Sequence, residues 1–225
     1  GKNTGKRRLL FLAKLLWEQT DEEHSLSIGQ MRQQLAQVGM EAERKAIYDD
    51  LKTLQEYGMD ILRTNTGRDC RYFLAGRTFE LPELKLLVHS VQSSKFITHK
   101  KTASLIKKIE TLASVHSAQL LHRQVFVKNR IKTMNESIYY NVDEIHNGIS
   151  NNRKIRFLYF EYNVAKERQY RHGGAYYVVS PFAMTWDDEN YYLIAHSERH
   201  GLTHYRVDKM AKLTITQKPR VMTEE

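Results

Sequence analysis

Apolar residues recur at three- and four-residue spacing through the first two thirds of the chain, then change to alternation. The first pattern predicts helices and the second predicts strands. A first core helix is expected over residues 6–19, where strong helix formers carry Leu9, Leu12, Leu15 and Leu16. Ser27 is placed to cap a second helix, Ile28 to Gln37, with Met31, Leu35 and Val38 inward. After a turn at Val38-Gly39-Met40, a third is expected from Glu41 to Tyr57, with Ile47, Leu51 and Leu54 inward and Gly58 as its stop. Two strand-like runs, Asp60 to Thr64 and Asp69 to Leu74, flank Asn65-Thr66-Gly67-Arg68 and predict a hairpin.

From Glu80 to His122 the spacing is helical again. Leu81, Leu84, Leu87, Val88 and Val91 mark one helix. Leu105, Ile109 and Leu112 mark a second with Lys100, Lys101, Lys107 and Lys108 outside, and Val115, Leu120 and Leu121 form a short third set. A further helix is expected from Asn141, as its cap, to Asn151. Strands follow at Lys154–Tyr162, Tyr176–Pro181, Tyr191–His196 and Thr203–Asp208, with Trp186 to Asn190 read as a loop. Five or so short twisted strands suffice for a small closed barrel. The expected class is α+β.

Side chains alternate across a strand. Tyr191, Leu193 and Ala195 therefore share one face, the core side, while Tyr192, Ile194 and His196 share the other. His204 and Arg206 lie together on the next strand, opposite Tyr205 and Val207. A face collecting phenol, imidazole and guanidinium offers stacking surface and donors for a phosphate or carboxylate.

The formal charge of +9, 35 basic against 26 acidic residues, points to an anionic partner. Most of the excess lies between Lys95 and Lys132, which reads as a solvated helix face or as a contact to nucleic-acid backbone. On the third helix Arg44, Tyr48 and Lys52 fall on one stripe with Lys45 beside them, as on a helix that enters a DNA groove. The hairpin carries Arg63, Arg68 and Arg71, and three helices followed by a basic hairpin make a winged helix whose wing touches phosphates. Glu43, Asp49, Asp50 and Glu56 dilute that field.

A single cysteine, Cys70, excludes a disulfide framework and a multi-thiolate metal site, and suits a reducing cytoplasm. Ten histidines invite zinc, but none pairs at ligand spacing beside carboxylates, so no metal and no cofactor is expected. Gly1 to Arg8 is polar and basic without a signal-peptide core, so export is not expected, and no apolar run is long enough to span a bilayer. Neither a Gly-rich phosphate loop, a metalloprotease helix nor a nucleophile elbow occurs, so an enzyme is not expected.

The first part resembles the winged helix-turn-helix domains that open many bacterial transcriptional regulators. Their third helix has a Thr-Ile/Val-x-Arg-Asp-Leu pattern, matched here by Ala46-Ile47-Tyr48-Asp49-Asp50-Leu51, with Asp49 in place of the arginine. Further on, Phe157-x-Tyr159, Ser180-Pro181, Tyr191-Tyr192-Leu193-x-Ala195-His196 and Tyr205-Arg206-Val207-Asp208-Lys209 resemble the WYL domain; Tyr191 replaces its tryptophan and Lys209 its last arginine.

This resemblance implies three parts. They are a winged helix-turn-helix over 1–76, a helical linker or dimerisation region over 77–137, and a WYL domain similar to Sm/SH3-like barrels over 138–225. It also implies a cytoplasmic DNA-binding regulator, a homodimer on double-stranded DNA, whose barrel senses a nucleotide or oligonucleotide. Carried over by motif, the ligand contacts are Tyr159, Tyr192, His196 and Arg206. Each also has a plainer reading: Tyr159 as packing, His196 as a strand end, Arg206 as an ion pair with Asp208. The alternative function is a scaffold whose barrel assembles protein partners without sensing. Many relatives continue beyond the barrel, whereas this sequence stops soon after Pro219.

Overall fold

The computed structural model describes residues 4–124 and 132–222, with side chains 122–124 left aside; Lys128 and Arg130 of the basic stretch lie outside this range, as does the side chain of Arg123. The chain divides into two compact units, residues 1–92 with 104–127, and residues 93–103 with 128–225. The stretch expected as a linker is therefore shared between them.

In the first unit α1 (Thr4–Gln19), α2 (Ile28–Gln37), α3 (Arg44–Tyr57), β2 (Ile61–Thr66) and β3 (Asp69–Leu74) follow the sequence pattern closely, whereas the short β1 (Leu26–Ser27) departs from it. Val38, expected inward, is instead the exposed C-cap of α2. Leu12, Leu16, Ile28, Met31, Leu35, Ile47 and Leu51 are buried in one core. Each such side chain contributes about 1.5–3 kcal/mol on burial. Ser27 and Gln30 form a reciprocal capping box at the start of α2. Gly58, at φ 115°, ends α3 in the left-handed conformation that a β-carbon disfavours. The start of α3 differs from expectation, Arg44 rather than Glu41. Arg32 Nε holds the Ala42 carbonyl at 3.0 Å, keeping that residue in the turn.

The strands pair antiparallel in the order β1-β3-β2, and Gly67 (φ 67°) and Arg68 make the two-residue turn between Thr66 and Asp69. Then come α4 (Leu81–Ser93), α5 (His99–Glu110) and α6 (Val115–Gln124). Leu84, Ala113 and Leu121 form a second small core in this unit.

In the second unit α7 (Ile138–Ser150) precedes β4 (Arg153–Tyr162), β5 (Arg168–Tyr170), β6 (Tyr177–Asp187), β7 (Asn190–Ser197), β8 (Gly201–Arg206) and β9 (Met210–Pro219). The sheet is antiparallel in the order β5-β4-β6-β7-β8, with β9 also on β4. Strand β6 pairs with β4 through Tyr177–Val179 and with β7 from Ser180 onward, with a bulge between Pro181 and Ala183. A strand that changes partner at a bulge curls its sheet. Ile145, Ile155, Phe157, Leu193, Ala195 and Val207 fill the inside. Helix α7 lies so close to β4 that a β-carbon on Gly148 would meet Ile155 at 2.7 Å.

Three expectations change here. Asn141 is not a cap but a buried residue within α7, its amide donating to the carbonyls of Val207 (3.4 Å) and Met210 (3.0 Å). The expected loop Trp186 to Asn190 shrinks to Asp188 and Glu189, both at positive φ, because the strands continue to Asp187 and from Asn190. Strands β5 and β9 were not foreseen. Lys212 at φ 50° and the register shift of β9 break the alternation by which a strand is recognised.

Candidate functional site

Helix α3 shows Arg44, Lys45, Tyr48 and Lys52 to solvent, because Ile47, Leu51 and Leu54 commit the opposite stripe to the core. The Tyr48 ring leans edge-on toward Tyr72 of β3, 6.4 Å away, so its position is set by packing as well as exposure. Burial and Cys70 push the Tyr72 phenol up to about 12. Lys52 pairs with Glu56 at 3.7 Å, an exposed contact that contributes little.

On the hairpin, Arg63 and Arg68 are exposed. Arg63 sits opposite Tyr72 and Arg71 opposite Thr64, so the two arginines lie on opposite faces. The Arg71 guanidinium is bound to Ser25, Nε to Oγ at 3.0 Å and Nη2 to the carbonyl at 2.6 Å. Six of the seven predicted DNA contacts thus face solvent, and the seventh ties the hairpin to the chain before β1. A residue that sequence reasoning passed over orients α3: Arg8 of α1 grips Asp50, and this hydrogen bond raises the arginine's pKa.

In the second unit, Tyr192 stands directly across from Arg206, with Thr185 on its other side. Ile194 pairs with His204, and His196 with Leu202. Tyr192, His196 and Arg206 therefore share the outer face of β7–β8. His196 lies four residues along the strand from Tyr192, about 13 Å, beside Phe182 at 6.5 Å. Its Nδ1 is buried and has no hydrogen-bond partner among the described residues.

Arg206 is already engaged. Its Nε and Nη2 donate to Asp208 at 3.0 and 2.8 Å, and Nη2 also to Asn190 at 3.2 Å. The Asp208 hydrogen bond, against the cost of burial, raises the arginine's pKa. Tyr159 lies elsewhere, in the core with Phe157 and Tyr205. Its hydroxyl accepts the Arg206 backbone N–H at 3.0 Å, and burial raises its pKa. It supports the arginine's strand from within and is not on the outer face. Arg171, which no motif singled out, lies over the Tyr159 ring at 5.6 Å and bonds Glu161 at 2.5 Å.

Among the described residues no cluster of three His, Cys, Asp or Glu side chains could hold a metal ion, and no helix is long and apolar enough to cross a membrane. Residues 140–215 match the family model of the WYL domain, so the second unit carries a WYL domain. Proteasome accessory factor B/C (PafBC) of Arthrobacter aurescens is similar in structure at a TM-score of 0.32 and 16% identity, over 95% of this chain and 33% of that one. The chain spans about a third of that protein's length. No curated protein matches the chain.

Proposed function

We propose, from the WYL domain at 140–215, that the chain is a cytoplasmic DNA-binding transcriptional regulator without catalytic activity. Its first unit is read as a winged helix-turn-helix and its curled sheet as a small Sm-like barrel. One observation carries the DNA half. Arg44, Lys45, Tyr48 and Lys52 form an exposed stripe on α3, in the same unit as a hairpin bearing Arg63 and Arg68. That is the division of labour by which a helix reads base edges and a wing holds phosphates.

The sensing half rests on the outer face of β7–β8, where Tyr192 offers a stacking ring beside the Arg206 guanidinium. An anionic ligand, a nucleotide or an oligonucleotide, competes there with Asp208 for the arginine. Ligand binding then alters the grip of a homodimer on an inverted repeat. Selection of bound sites from random duplex DNA, with and without nucleotides or short oligonucleotides, tests both halves. A recovered inverted repeat whose occupancy shifts with ligand, and ceases to shift in Arg206→Ala, supports the reading. Absence of duplex binding at low salt removes the DNA half, and an unchanged ligand response in Arg206→Ala removes the sensing half.

A further inference from the structure

The curled sheet of the second unit has a recess on the opposite side of β7–β8 from Tyr192 and Arg206. Tyr177, Ser197 and Tyr205 lie on the inward parity of their strands, and between them opens a cavity of about 320 Å³. Tyr177 stacks on Phe157 (5.5 Å, 17°) and meets Tyr205 edge-on at 5.8 Å, so the floor is an aromatic cluster continuous with the core. Tyr176, held under the Arg156 guanidinium at 4.9 Å, forms an outer wall. The volume is at the small end for ligand sites and fits one ring rather than several.

The rim carries one fixed positive charge, the Arg199 guanidinium. His172, Arg199 and His200 line it, and Arg199 has no ionic partner among the described residues. The one carboxylate of the rim, Glu198, is taken by Lys154 at 2.6 Å. His172 adopts φ 51°, ψ 40°, a conformation unusual for a residue with a β-carbon, and its ring lies 5.4 Å from that of Tyr177. Flat aromatic walls select a planar ring. An unpaired guanidinium at the mouth matches a carboxylate through its two parallel N–H donors.

We propose that this recess binds a small planar aromatic carboxylate, its ring against Tyr176 and Tyr177 and its carboxylate at Arg199. The site is separate from the Tyr192–Arg206 face and does not depend on the nucleotide reading.

Calorimetric titration of the full chain with 4-hydroxybenzoate tests it, against cyclohexanecarboxylate, which has the same charge without the flat ring, and inorganic phosphate, which has charge without a ring. Saturable binding of 4-hydroxybenzoate at a Kd of about 1 mM or tighter is expected, with both comparison compounds weaker by about tenfold or more. Arg199→Gln and Tyr176→Ala, both exposed and outside the core, each weaken binding by about tenfold, while Arg206→Ala leaves it unchanged. Failure of 4-hydroxybenzoate to bind, equal binding of either comparison compound, or unchanged binding in Arg199→Gln overturns the proposal. Loss only in Arg206→Ala assigns the ligand to the other face and also overturns it.

Discussion

Arg8 and Asp50 close a two-point clamp between α1 and α3, Nε to Oδ2 at 2.5 Å and Nη2 to Oδ1 at 3.2 Å. Both side chains are largely shielded, at 19% and 13% exposure. The clamp fixes the rotation of α3 about its axis, and hence the direction in which Lys45 and Tyr48 point. Arg8→Ala and Asp50→Ala are each expected to cost about 1–2 kcal/mol in urea unfolding. A double-mutant cycle should return a coupling of about 1 kcal/mol; additive losses would mean that the clamp holds nothing.

The hairpin carries two kinds of arginine, Arg68 exposed at its turn and Arg71 bound to Ser25. Arg68→Ala should weaken binding to all duplexes alike and reduce the salt slope by about one. Arg71→Ala should leave that slope unchanged and instead lower stability by about 1–2 kcal/mol, since its hydrogen bonds go to Ser25. Replacing Lys45 or Tyr48 should change which sequences are preferred. A salt slope that falls with Arg71→Ala but not with Arg68→Ala would place the wing's contact face on the other side.

Asn141 and Asn135 hold the turn between β8 and β9. Asn135 donates to the carbonyls of Asp208 (2.8 Å) and Met210 (3.0 Å), and Asn141 to Met210 from the neighbouring helix. Removing either amide leaves buried carbonyls short of a donor, at about 1–3 kcal/mol. Asn141→Leu, close in size, should therefore lower the denaturation midpoint of the full chain. A midpoint equal to wild type would show that packing rather than hydrogen bonding secures the turn.

Acid should loosen the first unit at Asp21. Burial alone would raise the pKa of this carboxyl. Hydrogen bonds from Ser114, His24 and the Glu23 N–H outweigh it, and the group ends below its ordinary value. A depressed folded-state pKa gives stability that is present above the unfolded value and is lost as pH falls through the folded one. Urea midpoints measured from about pH 6 down to about pH 3 should fall less steeply in Asp21→Asn than in wild type. Parallel curves would count against the assignment.

How far the chain could be read ahead of its structure depended on where information is local. Helices α1 to α3 and the β2–β3 hairpin follow from spacing, one capping serine and two glycines, because the hydrogen bonds that define them close within a few residues. The outward stripe of α3, the shared facing of Tyr192 with His196 and that of His204 with Arg206 follow from periodicity alone, while the pairing that puts Arg206 beside Tyr192 comes from the β7–β8 register. The sequence by itself determined these facings, together with the absence of a disulfide framework.

Only the tertiary structure decided what each exposed or buried group is bound to. Asp50 lies 42 residues from Arg8, Ser25 46 from Arg71, and Asn141 69 from the Met210 carbonyl, and no pattern along the chain carries such distances. Tyr159 shows the limit most plainly. Its parity set it on a face with Phe157, but whether that face looked inward awaited the curl of the sheet. The curl arises where β6 exchanges β4 for β7, a change of partner that depends on three strands at once.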